Sequence, residues 1–122
     1  MSVFSETLLD HFRNPRRVGS LDPPAVTVRV ENPVCGDILT LSANVGNGVV
    51  REVRFKARGC TASIAAGSVL TDLISGASGP DLRRIDASKV EAALGGLPNE
   101  SKHVARLASD AASALADRLA AP

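Results

Sequence analysis

The sequence predicts an α+β domain in which helices cover one face of a three-stranded antiparallel meander and a long helix closes the chain. Runs of alternating apolar residues are grouped between residues 26 and 57, and helical periodicity follows from residue 61 onward. Strands grouped ahead of helices are typical of α+β domains. Because the 122 residues contain no repeat and no linker-like segment, we expect one domain over residues 1–122.

A short amphipathic helix is predicted near the start of the chain. Its apolar face consists of Phe4, Leu8, Leu9 and Phe12. Ser2 or Ser5 is placed to cap its first turn, and Asn14-Pro15 ends it, because the residue before a proline avoids the helical region. Three prolines and one glycine between residues 15 and 25 predict a loop ahead of the first strand.

Three extended runs predict the sheet. Apolar residues alternate in Val26–Val30, in Leu39–Val45 and in Val49–Ala57. Pro33 ends the first run, since a proline cannot donate a hydrogen bond to a strand ladder. Asn47-Gly48, between the second and third runs, is a hairpin signal because both residues tolerate a positive φ.

The second half of the chain is predicted to be helical. The predicted elements are residues 61–75, a short segment 79–85, residues 86–94 and residues 99–120. Gly76 and Gly95-Gly96 are placed to end two of these helices. The last helix is the clearest, because Val, Leu and Ala recur along one face and alanine has the highest helix propensity.

The charge balance argues against a nucleic-acid or membrane partner. The net charge is +1, so no strong field attracts phosphate backbones or anionic lipids. The first residues lack the pattern of a secretory signal, and no apolar run approaches the length of a membrane span. We therefore expect a cytoplasmic protein whose cysteines stay reduced, and a Cys35–Cys60 disulfide is not expected.

The two cysteines, each beside a glycine, are the strongest candidates for a functional site. They occur in Cys35-Gly36-Asp37 and Gly59-Cys60-Thr61. Thiolate sulfur suits a soft metal or a cluster iron, and glycine lets the backbone approach closely. Asp37 adds an oxygen ligand on the same side of an extended segment as Cys35. Cys60 is predicted at a helix N-terminus, where the macrodipole favours the thiolate. The alternative is that both cysteines are small structural side chains.

Two histidines complete the set of candidate ligands. His103 lies in the first turn of the last predicted helix, beside the apolar stripe, from which it can reach a site at the sheet edge. The alternative for His103 is an ordinary helix-end histidine. His11 follows Asp10 on the first helix and is expected to be a surface residue.

Three segments of the chain match the motifs of one known family. They are Leu9-Asp10-His11-Phe12-Arg13-Asn14-Pro15-Arg16-Arg17-Val18-Gly19, Asn32-Pro33-Val34-Cys35-Gly36-Asp37 and Phe55-Lys56-Ala57-Arg58-Gly59-Cys60-Thr61-Ala62-Ser63-Ile64-Ala65. Together they resemble the iron-sulfur cluster scaffold family of IscU and the NifU N-terminal domain. The resemblance extends from about Phe4 to Leu119. It implies the IscU/NifU-N-like fold and a carrier rather than an enzyme.

The sequence departs from the family at the start of the last helix. Family members carry a third cysteine directly after a histidine, and here Val104 follows His103. The Leu-Pro-Pro-Val-Lys stretch that IscU proteins offer to a chaperone is reduced to Leu97-Pro98, which weakens the expectation of a chaperone contact. The short span between Cys60 and Val104 lacks the insertion of the zinc-containing SufU branch.

The resemblance and the missing thiolate leave Cys35, Asp37, Cys60 and His103 as the implied ligand set. Two thiolates, a carboxylate and an imidazole can complete a tetrahedral Zn²⁺ site. The same set can hold a [2Fe–2S] cluster, since histidine can replace cysteine on one iron. Oxygen and nitrogen ligands hold a cluster less firmly than thiolate, which suits a protein that gives its cluster away.

Three functions follow as hypotheses. In the first, the protein assembles a transient [2Fe–2S] cluster, with sulfur from a cysteine desulfurase and iron from an iron donor, and passes it to apo iron-sulfur acceptor proteins. In the second, it is a SufU-like zinc-bound acceptor that takes a persulfide on Cys35 or Cys60. In the third, it is an interaction module that keeps the fold without the chemistry.

Overall fold

The computed structural model describes residues 3–120. Its elements are α1 (Glu6–Arg13), β1 (Val26–Glu31), β2 (Ile38–Gly46), β3 (Val49–Arg58), α2 (Thr61–Ile74), α3 (Gly79–Arg83), α4 (Ala87–Ala93), a 3₁₀ turn (Asn99–Ser101) and α5 (His103–Ala120). Ser5 caps α1, because the Leu8 amide donates to its Oγ at 3.0 Å. The other candidate cap, Ser2, lies outside the described residues.

The predicted sheet is confirmed as an antiparallel meander in the order β1-β2-β3. Asn47 and Gly48 both have positive φ, 54° and 78°, as a type I′ hairpin turn requires. The register passes from Asn44–Glu52 to Val45–Val50, which leaves Arg51 as the extra residue of a β-bulge. The bulge reverses which residues of β3 face the core on its two sides. Val50 is therefore buried, although strict alternation with Val53 would place Val49 and Arg51 on the core face instead.

Helices cover one face of this sheet, as the sequence predicts. The row Val28–Leu41–Phe55 runs across the three strands and is buried against α2 and α5. Gly67 lets α2 approach closely, since a Cβ at this position would lie 2.5 Å from Cδ2 of Phe55. The opposite face carries polar rows such as Arg29–Thr40–Lys56. Alternation of this kind fixes which face of each strand enters the core.

The segment after α1 is attached to the edge of β3. The Gly19 amide donates to the Phe55 carbonyl at 2.8 Å, and the Phe55 amide donates to the Arg17 carbonyl at 2.9 Å. These bonds satisfy backbone groups that an edge strand would otherwise expose. The loop predicted between residues 15 and 25 therefore also covers the edge of the sheet.

The expectation that His11 is a surface residue is wrong. Its side chain is buried between α1 and α2, with Nδ1 2.7 Å from Oγ of Ser68 and Nε2 3.8 Å from Oδ2 of Asp72. Removal from water lowers the pKa of His11, because burial disfavours the charged imidazolium. The backbone amide of Arg16 also donates to Oγ of Ser68, at 2.9 Å, so this hydroxyl joins α2 to both α1 and the loop that follows it.

The last predicted helix is interrupted near its start. Residues 99–101 form a 3₁₀ turn, and α5 begins at His103. Within residues 3–120, no helix combines the length and the apolar character that crossing a membrane requires.

Candidate metal centre

The first cysteine lies in a tight loop between β1 and β2. The Asn32 amide donates to the Asp37 carbonyl at 2.8 Å, and the Gly36 amide donates to the Asn32 carbonyl at 2.7 Å. Gly36 makes this turn possible with a φ of +77°, which side-chain-bearing residues rarely adopt. The turn exposes Cys35 and directs Asp37 inward, where only 6% of Asp37 remains exposed.

The second cysteine lies where β3 gives way to α2. Cys60 is the N-cap of α2 with extended backbone, and it is exposed. The predicted position at a helix N-terminus is confirmed. The Ile38–Arg58 pair aligns β2 with β3, so Asp37 and Gly59 are adjacent at the end of the sheet. A Cβ on Gly59 would lie 2.4 Å from Oδ1 of Asp37, so the absence of a side chain at Gly59 is what admits the carboxylate.

The start of α5 brings the histidine to the same place. His103 is the first residue of α5, and its Nε2 lies 3.2 Å from Oδ2 of Asp37. The preceding residue, Lys102, pairs with Glu91 of α4 at 2.7 Å. The hydrogen bond from Lys102 lowers the pKa of the Glu91 carboxyl. This ion pair links α4 to the residue directly before α5 and so helps to fix the position of His103.

Three of the four predicted ligands lie together. One ligand atom each from Cys35, Asp37 and His103 falls within 4.8 Å of the other two. Cys60 is not part of this group. Its Sγ instead lies 3.3 Å from Oγ of Ser63. The role of all four residues as ligands stays a prediction.

Ser63 is a site residue that the sequence did not single out. It lies in the first turn of α2, is 3% exposed and donates to Oδ2 of Asp37 at 2.7 Å. Through this hydroxyl, Cys60 is connected to the Asp37–His103 pair. A serine among the alanines of an apolar helix carries no sequence signal that separates it from other small helix residues.

Val104, which stands where the resemblance implies a third cysteine, has no exposed surface. It belongs to the hydrophobic core beside α5 residues such as Leu107 and Ala108. The neighbouring His103, by contrast, is half-buried and lines an open cleft of about 350 Å³ together with Glu31, Pro33, Arg106 and Asp110. Both cysteines and part of His103 therefore face solvent, whereas Val104 does not.

The donor set fits a thiophilic metal. Thiolate, imidazole and carboxylate are the ligands that zinc takes in proteins, and thiolate with imidazole also ligates iron-sulfur clusters. Asp37 is hydrogen-bonded by Ser63 and lies against His103, as metal-ligating carboxylates commonly are. The arrangement can hold a metal that is open to solvent on the cysteine side.

Known proteins share both the sequence and the fold of this chain. The chain is 37% identical over 109 residues to iron-sulfur cluster assembly scaffold protein IscU 1 of Archaeoglobus fulgidus, covering 89% of this chain and 71% of that protein. It is 38% identical over 116 residues to the IscU scaffold protein of Haemophilus influenzae, covering 92% of this chain and 91% of that one.

Solved structures agree on the fold. The crystal structure of a NifU-like protein (N-terminal) from Brucella abortus superposes with a TM-score of 0.74 at 20% identity, covering 98% of this chain and 96% of that chain. A protein described as a scaffold for the SUF system, from Fervidobacterium islandicum, gives a TM-score of 0.63 at 22% identity, over 90% and 82% of the two chains. Residues 3–119 match the family described as the NifU-like N terminal domain, and the chain belongs to that family.

Proposed function

We propose that this protein is an iron-sulfur cluster assembly scaffold, which binds iron and sulfide transiently as a [2Fe–2S] cluster and transfers the cluster to acceptor proteins. The observation that carries the proposal is the convergence of Cys35 and Asp37, from the loop between β1 and β2, with His103 at the start of α5, their ligand atoms lying within 4.8 Å of one another. The names of the relatives that are 37% and 38% identical over 109 and 116 aligned residues support the same function.

The proposed ligands are Cys35, Cys60, Asp37 and His103, two for each iron. The cluster is the cargo of the protein, and mixed ligation by histidine and cysteine is known chemistry for [2Fe–2S] centres. Asp37 and His103 already lie in contact, so they need little rearrangement to act together. Both cysteines are exposed, which leaves the cluster accessible to a donor and to an acceptor.

The proposed partners are a cysteine desulfurase, an iron donor and apo iron-sulfur proteins. A thiolate of Cys35 or Cys60 attacks the outer sulfur of the desulfurase persulfide, forming a new persulfide and releasing the desulfurase thiolate. Reduction of this sulfur to sulfide takes two electrons from an external donor. Val104 offers no thiol for the transfer, so the exposed cysteines are the candidates.

A zinc-bound sulfur acceptor is the second candidate function. The same group of Cys35, Asp37 and His103, completed by Cys60, has the ligand types and number of a tetrahedral zinc site. In this case zinc would be held by these residues, and an acceptor thiolate would take the outer sulfur of a Cys35 or Cys60 persulfide, releasing the cysteine thiolate, so that no cluster is built. The scaffold function ranks first, since the IscU relatives and the SUF-system neighbour are all scaffold proteins by name.

Anaerobic reconstitution with iron and a cysteine desulfurase tests the scaffold function. The wild type is expected to develop the visible absorption of a [2Fe–2S] cluster, and Cys35→Ala, Cys60→Ala and His103→Ala are expected to reduce it. His11→Ala is the matched control, because His11 lies in a separate buried network and is expected to leave cluster formation intact. Absence of cluster absorption in the wild type, or undiminished absorption in both cysteine variants, would contradict the proposal.

The zinc dependence of persulfide formation separates the two functions. After turnover with the desulfurase, mass spectrometry is expected to show a persulfide on Cys35 or Cys60 only in the zinc-loaded protein if the second function holds, whereas the scaffold function expects this persulfide without zinc. A protein that takes up neither metal nor sulfur would instead be an interaction module with this fold.

A further inference from the structure

We propose that Ser63 is a positioning residue of the metal site, which sets the orientation of Asp37 and Cys60 through a single hydroxyl. The inference rests on the site of the proposed function and assigns a role to a residue outside the predicted ligand set. Ser63 Oγ lies 2.7 Å from Oδ2 of Asp37 and 3.3 Å from Sγ of Cys60. These two ligands belong to different segments, and the described contacts join them through this one atom.

The chemistry of a hydroxyl fixes the direction of both contacts. A serine has one proton to donate and two lone pairs with which to accept. Its proton points to the Asp37 carboxylate, which only accepts, so in the metal-free protein the Cys60 thiol is the donor to the Ser63 oxygen. One side chain thereby places the Asp37 carboxylate and the Cys60 thiol before the thiol gives up its proton to become a ligand.

The position of Ser63 makes this orientation rigid. The residue is 3% exposed and lies in the first turn of α2, so its side chain has little freedom to move. Asp37 is confined on its other side by the Gly59 backbone, near Oδ1. Hydrogen bonds of this kind to metal-ligating carboxylates typically raise metal affinity about 10- to 100-fold.

Cobalt(II) is the probe for this role, because its thiolate charge-transfer absorption reports bound sulfur directly. Ser63→Ala is expected to weaken Co²⁺ binding about 10- to 100-fold, the usual cost of losing a hydrogen bond to a metal-ligating carboxylate. Ser109→Ala is the matched control, since it removes another buried hydroxyl, whose bond among the described residues is to the Arg106 carbonyl of its own helix.

A second pair of variants separates the hydroxyl from packing. Ser63→Thr and Ser63→Val add branches of the same shape and differ only in the hydroxyl. Ser63→Thr is expected to bind Co²⁺ more tightly than Ser63→Val, by about 10-fold or more, because only threonine keeps the orienting hydroxyl. This comparison holds even if the shorter Ser63→Ala side chain unsettles the helix start.

The inference is overturned if Ser63→Ala binds Co²⁺ within threefold of the wild type, or if Ser109→Ala weakens binding as much as Ser63→Ala does. Equal affinities of Ser63→Thr and Ser63→Val would overturn it as well. Failure of the proposed function is a distinct result: a wild type that binds Co²⁺ tightly but builds no [2Fe–2S] cluster would contradict the scaffold function and leave the Ser63 comparison valid. A wild type that binds no Co²⁺ would contradict the site and this inference together.

Discussion

His103 Nε2 lies 3.2 Å from Asp37 Oδ2, although the two residues are 66 positions apart in the chain. The contact joins the first residue of α5 to the residue directly ahead of β2. Because Cys35 lies within 4.8 Å of the same pair, the end of the sheet carries sulfur, oxygen and nitrogen donors side by side. The predictions below follow from this cluster and from the packing that supports it.

Gly59→Ala is expected to disturb the site from the backbone side. The new Cβ would lie 2.4 Å from Oδ1 of Asp37, so the carboxylate or the backbone must shift. We expect a loss of about 1–3 kcal/mol in unfolding free energy and a fall in Co²⁺ affinity of about tenfold or more. Urea unfolding and Co²⁺ titration measure the two effects.

Gly48→Ala is the control for Gly59→Ala. Gly48 also has a positive φ, +78°, but a Cβ there meets nothing within 4 Å. It should therefore lower stability through backbone strain and leave Co²⁺ affinity unchanged. Equal Co²⁺ affinities for Gly59→Ala and the wild type would show that Asp37 is not confined by this backbone.

Gly67→Ala is expected to separate α2 from the sheet. Its Cβ would lie 2.5 Å from Phe55 Cδ2, and Phe55 is itself a large, fully buried side chain. Overpacking of this kind costs about 1–3 kcal/mol. Gly79→Ala, where a Cβ meets nothing within 4 Å, is expected to be close to neutral. If thermal unfolding shows the two variants equally stable, the close approach of α2 to β3 is wrong.

Val104→Cys tests whether the family's cysteine position faces the core in this chain. Val104 has no exposed surface, whereas Cys35 and Cys60 are exposed. Iodoacetamide should therefore modify two thiols of the folded variant rapidly and the third only slowly. The substitution should cost on the order of 1 kcal/mol, because it removes a small part of a buried side chain. Three thiols of equal reactivity would contradict the burial of residue 104.

His11 is expected to make stability depend on pH. Its folded pKa is lowered by burial, so the unfolded chain binds a proton more readily than the folded one. The stabilising contribution of neutral His11 is therefore fully present above the unfolded histidine pKa of about 6.5. It decreases as the pH falls toward the lower folded pKa. Arg16 reinforces this direction, whereas Asp72 and Asp10 oppose it.

Urea unfolding of the wild type and of His11→Gln at a series of pH values measures this contribution. The wild type should lose more stability than His11→Gln on acidification below pH about 6.5. Both proteins keep His103 and all carboxylates, so these groups cancel in the comparison. Identical pH dependence in the two proteins would show that His11 does not titrate against folding.

Much of the fold follows from local sequence patterns. The alternation of Val26–Val30 and Leu39–Val45 and the turn at Asn47-Gly48 fix the strands, their order and the face that enters the core. The bulge at Arg51 does not follow from the same pattern, because it depends on how two strands with different residue counts pair across the hairpin.

The site follows only partly from the sequence. The motifs single out Cys35, Asp37, Cys60 and His103, and three of these residues lie together. Ser63 was missed and His11 was misplaced because each is defined by long-range contacts, Ser63 to Asp37 and His11 to Ser68. Helical periodicity assigns a residue to a face of its own helix, but it does not say which other segment packs there.

The iron, sulfide and zinc content of anaerobically purified and reconstituted protein tests the central claim most directly. A scaffold that uses Cys35, Cys60, Asp37 and His103 should contain iron and acid-labile sulfide in equal amounts, as in a [2Fe–2S] cluster. Both should be lost together in Cys35→Ala and in Cys60→Ala. A wild type that holds zinc without sulfide, or no metal at all, would contradict the scaffold function.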